Sequence, residues 1–104
     1  MRDRATFDAL ASGRRRRRGP ISMTYLAGDP SIPPRVAYAV GKRVGPAAVR
    51  NRVRRRLREA TRAHRAELRP GGVYLFGAAP AASSARFAEI DAAMGELLAI
   101  AEGS

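Results

Sequence analysis

A chain of 104 residues, 45% hydrophobic but only 6% aromatic, suffices for one small domain with a modest core. Its 20 Lys and Arg against nine acids leave a net charge of +11, which points to a polyanionic partner. The absence of cysteine excludes disulfides, thiolate metal sites and cysteine nucleophiles, and suits a reducing cytoplasm.

The charge is regional. From Arg14 to Arg69 there are seventeen Arg or Lys against three acids (Asp29, Glu59, Glu67), a net of +14. From Pro70 onward, Arg86 faces Glu89, Asp91, Glu96 and Glu102, a net of −3. Such a patch is the electrostatic footprint of a nucleic-acid binder. Residues 1–20 lack the apolar stretch of a signal peptide. No apolar run approaches the roughly 18 residues of a membrane span, so no membrane partner is expected.

Residues 1–13 predict a short helix. Thr6 caps it, Phe7 and Leu10 share a face, and Gly13 ends it. Residues 1–5 and 102–104 are expected to fray. The run Arg14, Arg15, Arg16, Arg17, Arg18 should repel itself and stay mobile until it meets an anion. Its position inside the domain suggests auxiliary phosphate contacts. Gly19–Ala27 alternates as a strand, with Ile21, Met23 and Tyr25 on one face and Ser22, Thr24 and Leu26 on the other. A proline-rich loop follows. Arg35–Val40 is the next strand; Val36, Tyr38 and Val40 share one face, and Ala37 and Ala39 leave room on the other.

The chain is organised around Gly41–Arg69. Gly45-Pro46 places a proline at the expected first helical position, and Pro70-Gly71-Gly72 stops the helix. The span between allows about six turns, roughly 33 Å. Val49, Val53, Leu57, Ala60, His64 and Leu68 form one apolar stripe. Arg54, Arg55, Arg58, Arg62 and Arg65 fall opposite; Arg50, Arg52 and Arg56 flank the stripe. Like charges at i,i+4 cost a few tenths of a kcal/mol each, a repulsion that a polyanion relieves. Arginine gives bidentate phosphate contacts and stacking, which suits RNA. His64, with no carboxylate evident nearby in sequence, reads as structural.

Gly72–Gly77 is a nearly continuous apolar run, as in a buried central strand. Ser83 or Ser84 can cap the last helix. There Phe87, Ile90, Met94, Leu97, Leu98 and Ala101 recur at core spacing beneath an acidic outer face.

The stretch Lys42-Arg43-Val44-Gly45, Ala47, Arg50-Asn51-Arg52-Val53-Arg54-Arg55 and Arg58-Glu59-Ala60 resembles the signature of the bacterial ribonuclease P protein family. That signature reads Ser-Lys-Lys-Val-Gly-x-Ala-Val-x-Arg-Asn-Arg-x-Lys-Arg, with Arg-Glu shortly after. Gly41, Ala48 and Arg54 depart from its serine, valine and lysine without removing charge. The elements read in order give an α+β sandwich, α-β-β-β-α-β-α, with one mixed sheet. The resemblance implies an irregular edge segment at the arginine run and a left-handed β-α-β crossover, where sequence alone suggests the usual right hand. It implies RNA contacts by Lys42, Arg43, Arg50, Asn51, Arg52, Arg54, Arg55, Arg58 and Arg62. It implies a cleft for the 5′ leader of precursor tRNA around Phe7, Thr24, Ala37 and Ala39. It implies an arginine or lysine where Ala78 and Ala79 stand, a basic contact missing here.

The nine acids are scattered and the histidine is single. Neither a carboxylate metal cluster nor a paired-histidine nuclease is legible. No residue is therefore expected to be catalytic or to bind metal, and no small-molecule substrate is expected. The resemblance implies that the ribonuclease P RNA performs the cleavage with Mg²⁺, the protein contacting that RNA and precursor tRNA. A basic ribosomal or general RNA-binding protein would explain the charge but not the spacing of the signature. A DNA-binding architectural protein would lay the long helix in a major groove.

Overall fold

The computed structural model describes residues 15–102. The predicted first helix with Phe7, the frayed residues 1–5, and Arg14 lie outside the described residues. Four strands form one sheet: β1 (Arg15–Arg18), β2 (Ile21–Leu26), β3 (Arg35–Ala39) and β4 (Val73–Ala78). Two helices follow the first three strands and the last: α1 (Ala47–Ala63) and α2 (Phe87–Glu102). The strand order is β1-β2-β4-β3. The first two pairings are antiparallel and β3–β4 is parallel, so the α+β sandwich has a mixed sheet. The apolar run of β4 takes the central place its composition suggests. Glu102 closes α2, inside the stretch expected to fray.

The arginine run is a correction. Arg15–Arg18 is a regular edge strand, joined to β2 by the Gly19-Pro20 turn. A positive φ of 52° at Gly19 meets the demand of the first position in a two-residue II′-type hairpin. Backbone pairing holds the strand, and the pleat sends successive guanidiniums to opposite faces, which weakens their repulsion.

Strand register separates two faces. Ile21, Met23 and Tyr25 lie opposite Ala78, Phe76 and Tyr74, with Val36 and Tyr38 beyond them. Ile21, Met23, Tyr74 and Phe76 are buried and join the core under α1 and α2. Val53, Leu57 and Ala60 enter it from α1; Ile90, Ala93, Met94, Leu97 and Leu98 enter from α2. Tyr38 Oη donates to Thr61 Oγ1 at 2.9 Å and fastens α1 to the edge strand β3.

Element ends differ from the pattern. Pro46 is the N-cap of α1 rather than its first residue. The helix stops at Ala63, and a 3-10 turn over Arg65–Glu67 completes the segment, so the expected six turns shorten. Ser83 and Ser84 do not cap α2. Their hydroxyls donate to the carbonyls of Pro80 and Ala81 within and after a 3-10 turn over Pro80–Ser83. Glu89 Oε1 instead accepts from the Arg86 N–H at 3.3 Å, the reach-back half of a capping box. Phe87 also departs from the core stripe: as the first residue of α2 it stays exposed.

Leu57 is fully buried at the centre of the α1 stripe. Leu57→Ala is expected to destabilise the fold by about 2–5 kcal/mol, measured by urea unfolding. An unchanged midpoint would contradict this packing.

Candidate nucleic-acid interface

The approach to α1 explains part of the signature. Lys42–Val44 is a 3-10 turn whose Val44 is buried while Lys42 and Arg43 stay exposed. Gly45 has φ 153°, and a Cβ there would meet Val49 Cβ at 3.1 Å. Glycine is therefore the residue that lets the turn pass directly into the helix. The first turn of α1 has no acid, so its free N–H groups add to the positive potential of Lys42 and Arg43.

Six of the seven arginines of α1 fall into two groups. Three are committed to the protein. Arg52 Nη2 donates to the Ser83 carbonyl at 3.2 Å and Arg56 Nη1 to the Ala85 carbonyl at 2.8 Å. Arg54 Nη1 donates to Asn51 Oδ1 at 2.9 Å, and its Nη2 reaches the Val40 carbonyl at 3.5 Å. Arg54 thus sits on the flank of the helix, half-buried, rather than on the side opposite the stripe. Among the described residues the Asn51 amide N–H groups have no acceptor. Arg50 is half-buried, with its Nε enclosed and unpartnered.

Arg55, Arg58 and Arg62 are exposed, and none makes a side-chain hydrogen bond among the described residues. Among the described residues the ion pairs are those of His64; no arginine or lysine takes part in one. With Glu59 as its one acid and no ion pair to an arginine among the described residues, α1 leaves most of its electrostatic demand to a partner.

The other sheet face brings three of the predicted leader-cleft positions together. Thr24 lies opposite Leu75, and Leu75 opposite Ala37; Ser22, Gly77 and Ala39 form the next row. Arg15 and Arg17 end these rows on β1. A Cβ at Gly77 would lie 2.6 Å from Ser22 Oγ, so the second row stays low. Thr24 is buried, Ala37 half-buried and Ala39 exposed. Thr24 is therefore floor, and its hydroxyl is not presented to solvent. Ser22, placed on the Thr24 face by alternation, belongs to this surface, as do Gly77 and Leu75, which carry no sequence signal before register is known. Ala78 and Ala79 add no charge here.

His64 departs from expectation because it has two carboxylate partners. Nδ1 is hydrogen-bonded to Glu67 Oε2, and Nε2 stands 3.0 Å from Asp91 Oδ1 and 3.2 Å from the Asp91 carbonyl. Glu67 arrives in the 3-10 turn and Asp91 from α2. Glu67 is local, three residues on, whereas Asp91 becomes a neighbour only through folding. No group of three His, Cys, Asp or Glu able to hold a metal ion occurs among the described residues. No helix among them is long and apolar enough to cross a membrane.

The ribonuclease P family model matches residues 1–102. This chain belongs to the ribonuclease P protein family. It is 41% identical to the ribonuclease P protein component of a Nocardioides species over 93 residues, covering 86% of this chain and 80% of that one. It is 38% identical to that of Thermobifida fusca, covering 94% and 72%. The fold matches that of the Staphylococcus aureus ribonuclease P protein with a TM-score of 0.80 at 20% identity, over 97% of this chain and 93% of that one. It also matches the Thermotoga maritima protein, with a TM-score of 0.80 at 18% identity over 94% and 93%. In this member of the family, the signature residues lie on the basic helix and the turn that leads into it.

Burial works against a charged His64 ring. The hydrogen bond and charge of Glu67, joined by the charge of Asp91, outweigh it and raise the pKa above 6.5. A histidine raised in this way stabilises the fold fully below its unfolded value and loses that contribution as pH climbs through the folded value. Relative to His64→Gln, the native chain should therefore gain most in urea unfolding near about pH 5.5 and least near about pH 9. A difference independent of pH would contradict the clasp.

Proposed function

We propose that this chain is the protein subunit of a cytoplasmic ribonuclease P ribonucleoprotein. It binds the catalytic RNA and the 5′ leader of precursor tRNA and promotes endonucleolytic removal of that leader. The observation that carries this reading is the absence of ion pairs to arginine or lysine among the described residues, on a helix that bears the family signature. Lys42, Arg43, Arg50, Arg55, Arg58 and Arg62 neutralise phosphates of the folded RNA. The Asn51 amide donates to a sugar or base edge. Arg52 and Arg54 act mainly by holding α1 against the Pro80–Ala85 segment and the end of β3, keeping part of their donor set for RNA. The leader lies along the Ala37 and Ala39 rows, with Arg15 and Arg17 at their end and Arg16 and Arg18 as auxiliary phosphate contacts. Single-stranded RNA suits such a low surface through shape and backbone charge.

Catalysis in this reading resides in the RNA, which binds the Mg²⁺ that cleavage needs. Protein side chains position and neutralise. Several of the described carboxylates are engaged within the fold: Glu67 and Asp91 with His64, Asp29 with the Ser31 hydroxyl and N–H, and Glu89 with the Arg86 N–H.

The test is cleavage of a precursor tRNA by a bacterial ribonuclease P RNA at low Mg²⁺, with and without this protein. The protein should restore 5′ maturation and show no cleavage alone. RNA binding with no gain in maturation would favour a general RNA-binding role. Cleavage by the protein alone would overturn the assignment of chemistry to the RNA.

A further inference from the structure

Beyond the signature, α1 and the turn after it build a second kind of site. Arg58, Arg62 and Arg65 line one open cavity of about 540 Å³ with Pro33, Pro34 and Leu68. None of the three guanidiniums has a hydrogen bond or ion pair among the described residues. Of the two acids nearest them in sequence, Glu67 is engaged with His64, and Glu59, exposed beside Arg58, forms no ion pair among the described residues. Arg58 and Arg62 are one turn apart on the helix, and Arg65 extends their line past its end.

The rest of the wall is of different character. Pro33 and Pro34 offer rigid apolar rings, and Leu68 is half-buried beside them. Thr61 Oγ1, also in the lining, already accepts from Tyr38 and donates to the Leu57 carbonyl. Three unpaired cations beside an apolar shelf match an anion that carries a flat ring. Cavity size is in the range of small-ligand sites.

We propose that this cavity takes a single nucleotide of the RNA partner, its phosphate held by Arg58, Arg62 and Arg65 and its base or ribose lying on Pro33, Pro34 and Leu68. This rests on the reading of the chain as an RNA-binding subunit. A nucleotide is favoured over an acidic peptide because guanidiniums grip phosphate in bidentate fashion and the shelf matches a ring rather than a chain. The signature does not include Arg65, the prolines or Leu68, so the site adds a contact outside it.

The test has two arms, both on the full chain. In the first, arginine Nε–H and Leu68 methyl resonances are followed during titration with adenosine 5′-monophosphate, inorganic phosphate, adenosine or an acidic peptide. The mononucleotide should move Arg58, Arg62, Arg65 and Leu68 together, phosphate the arginines alone and more weakly, and adenosine none; Arg65→Ala should abolish the response. Equal shifts at every exposed arginine, or a stronger response to the peptide, would overturn the proposal. In the second arm, Arg65→Ala should weaken binding to ribonuclease P RNA by about tenfold, the scale of one charge-assisted contact. Arg69→Ala, which removes the same charge outside the cavity, should change it by less than about twofold. If Arg65→Ala binds like the native chain while Arg50→Ala with Arg55→Ala loses affinity, the cavity does not serve the RNA and the proposal falls alone, even if free mononucleotide binds. If neither variant loses affinity, the RNA-binding reading falls with it.

Discussion

Seven arginines share α1 with a stripe only three fully buried side chains wide: Val53, Leu57 and Ala60. Burial of Val53 and Leu57 contributes about 1.5–3 kcal/mol each. The i,i+4 arginine pairs (Arg50–Arg54, Arg54–Arg58, Arg58–Arg62 and Arg52–Arg56) each cost a few tenths of a kcal/mol. Packing therefore outweighs repulsion, and the helix tolerates seven arginines with a single acid, Glu59, among them. The rest of the molecule follows from that imbalance. The sheet supplies the apolar bed, Tyr38 and Thr61 pin the helix to β3, and the charge is left for a partner.

The committed arginines make the arrangement firmer. Arg52 and Arg56 donate to carbonyls at Ser83 and Ala85, and Arg54 bridges Asn51 and Val40. These bonds use the guanidiniums as rigid struts at the margins of the stripe. The remaining cations are then presented from a fixed helix, so less side-chain and backbone freedom is lost when an anion arrives. The same signature that reads as a binding motif thus contains both supports and contacts.

Much of this was legible in the chain. The alternation in Ile21–Leu26 and Arg35–Ala39 marked two strands and their faces, and the apolar run at β4 marked the centre of the sheet. The stripe and the basic face of α1 followed from helical spacing. What was not legible depended on distant partners. An all-arginine strand has no alternation to read; β2 makes Arg15–Arg18 a strand by pairing with it. The role of His64 depends on Asp91, which folding brings from α2. Ser83 and Ser84 looked like helix caps, yet their hydroxyls are spent on a preceding 3-10 turn. Arg54 looked exposed until Val40 was in place beside it.

The central claim is that α1 separates arginines that hold the fold from arginines that await RNA. The most direct measurement compares unfolding and RNA affinity for two variants: Arg56→Ala, and the triple Arg55→Ala, Arg58→Ala, Arg62→Ala. Arg56→Ala should lower the urea midpoint, through loss of a bond to the Ala85 carbonyl worth about 1 kcal/mol or more. The triple variant should keep or raise its midpoint while losing at least about a hundredfold in affinity for ribonuclease P RNA at moderate salt. A triple variant that unfolds more readily, or binds the RNA like the native chain, would contradict the separation.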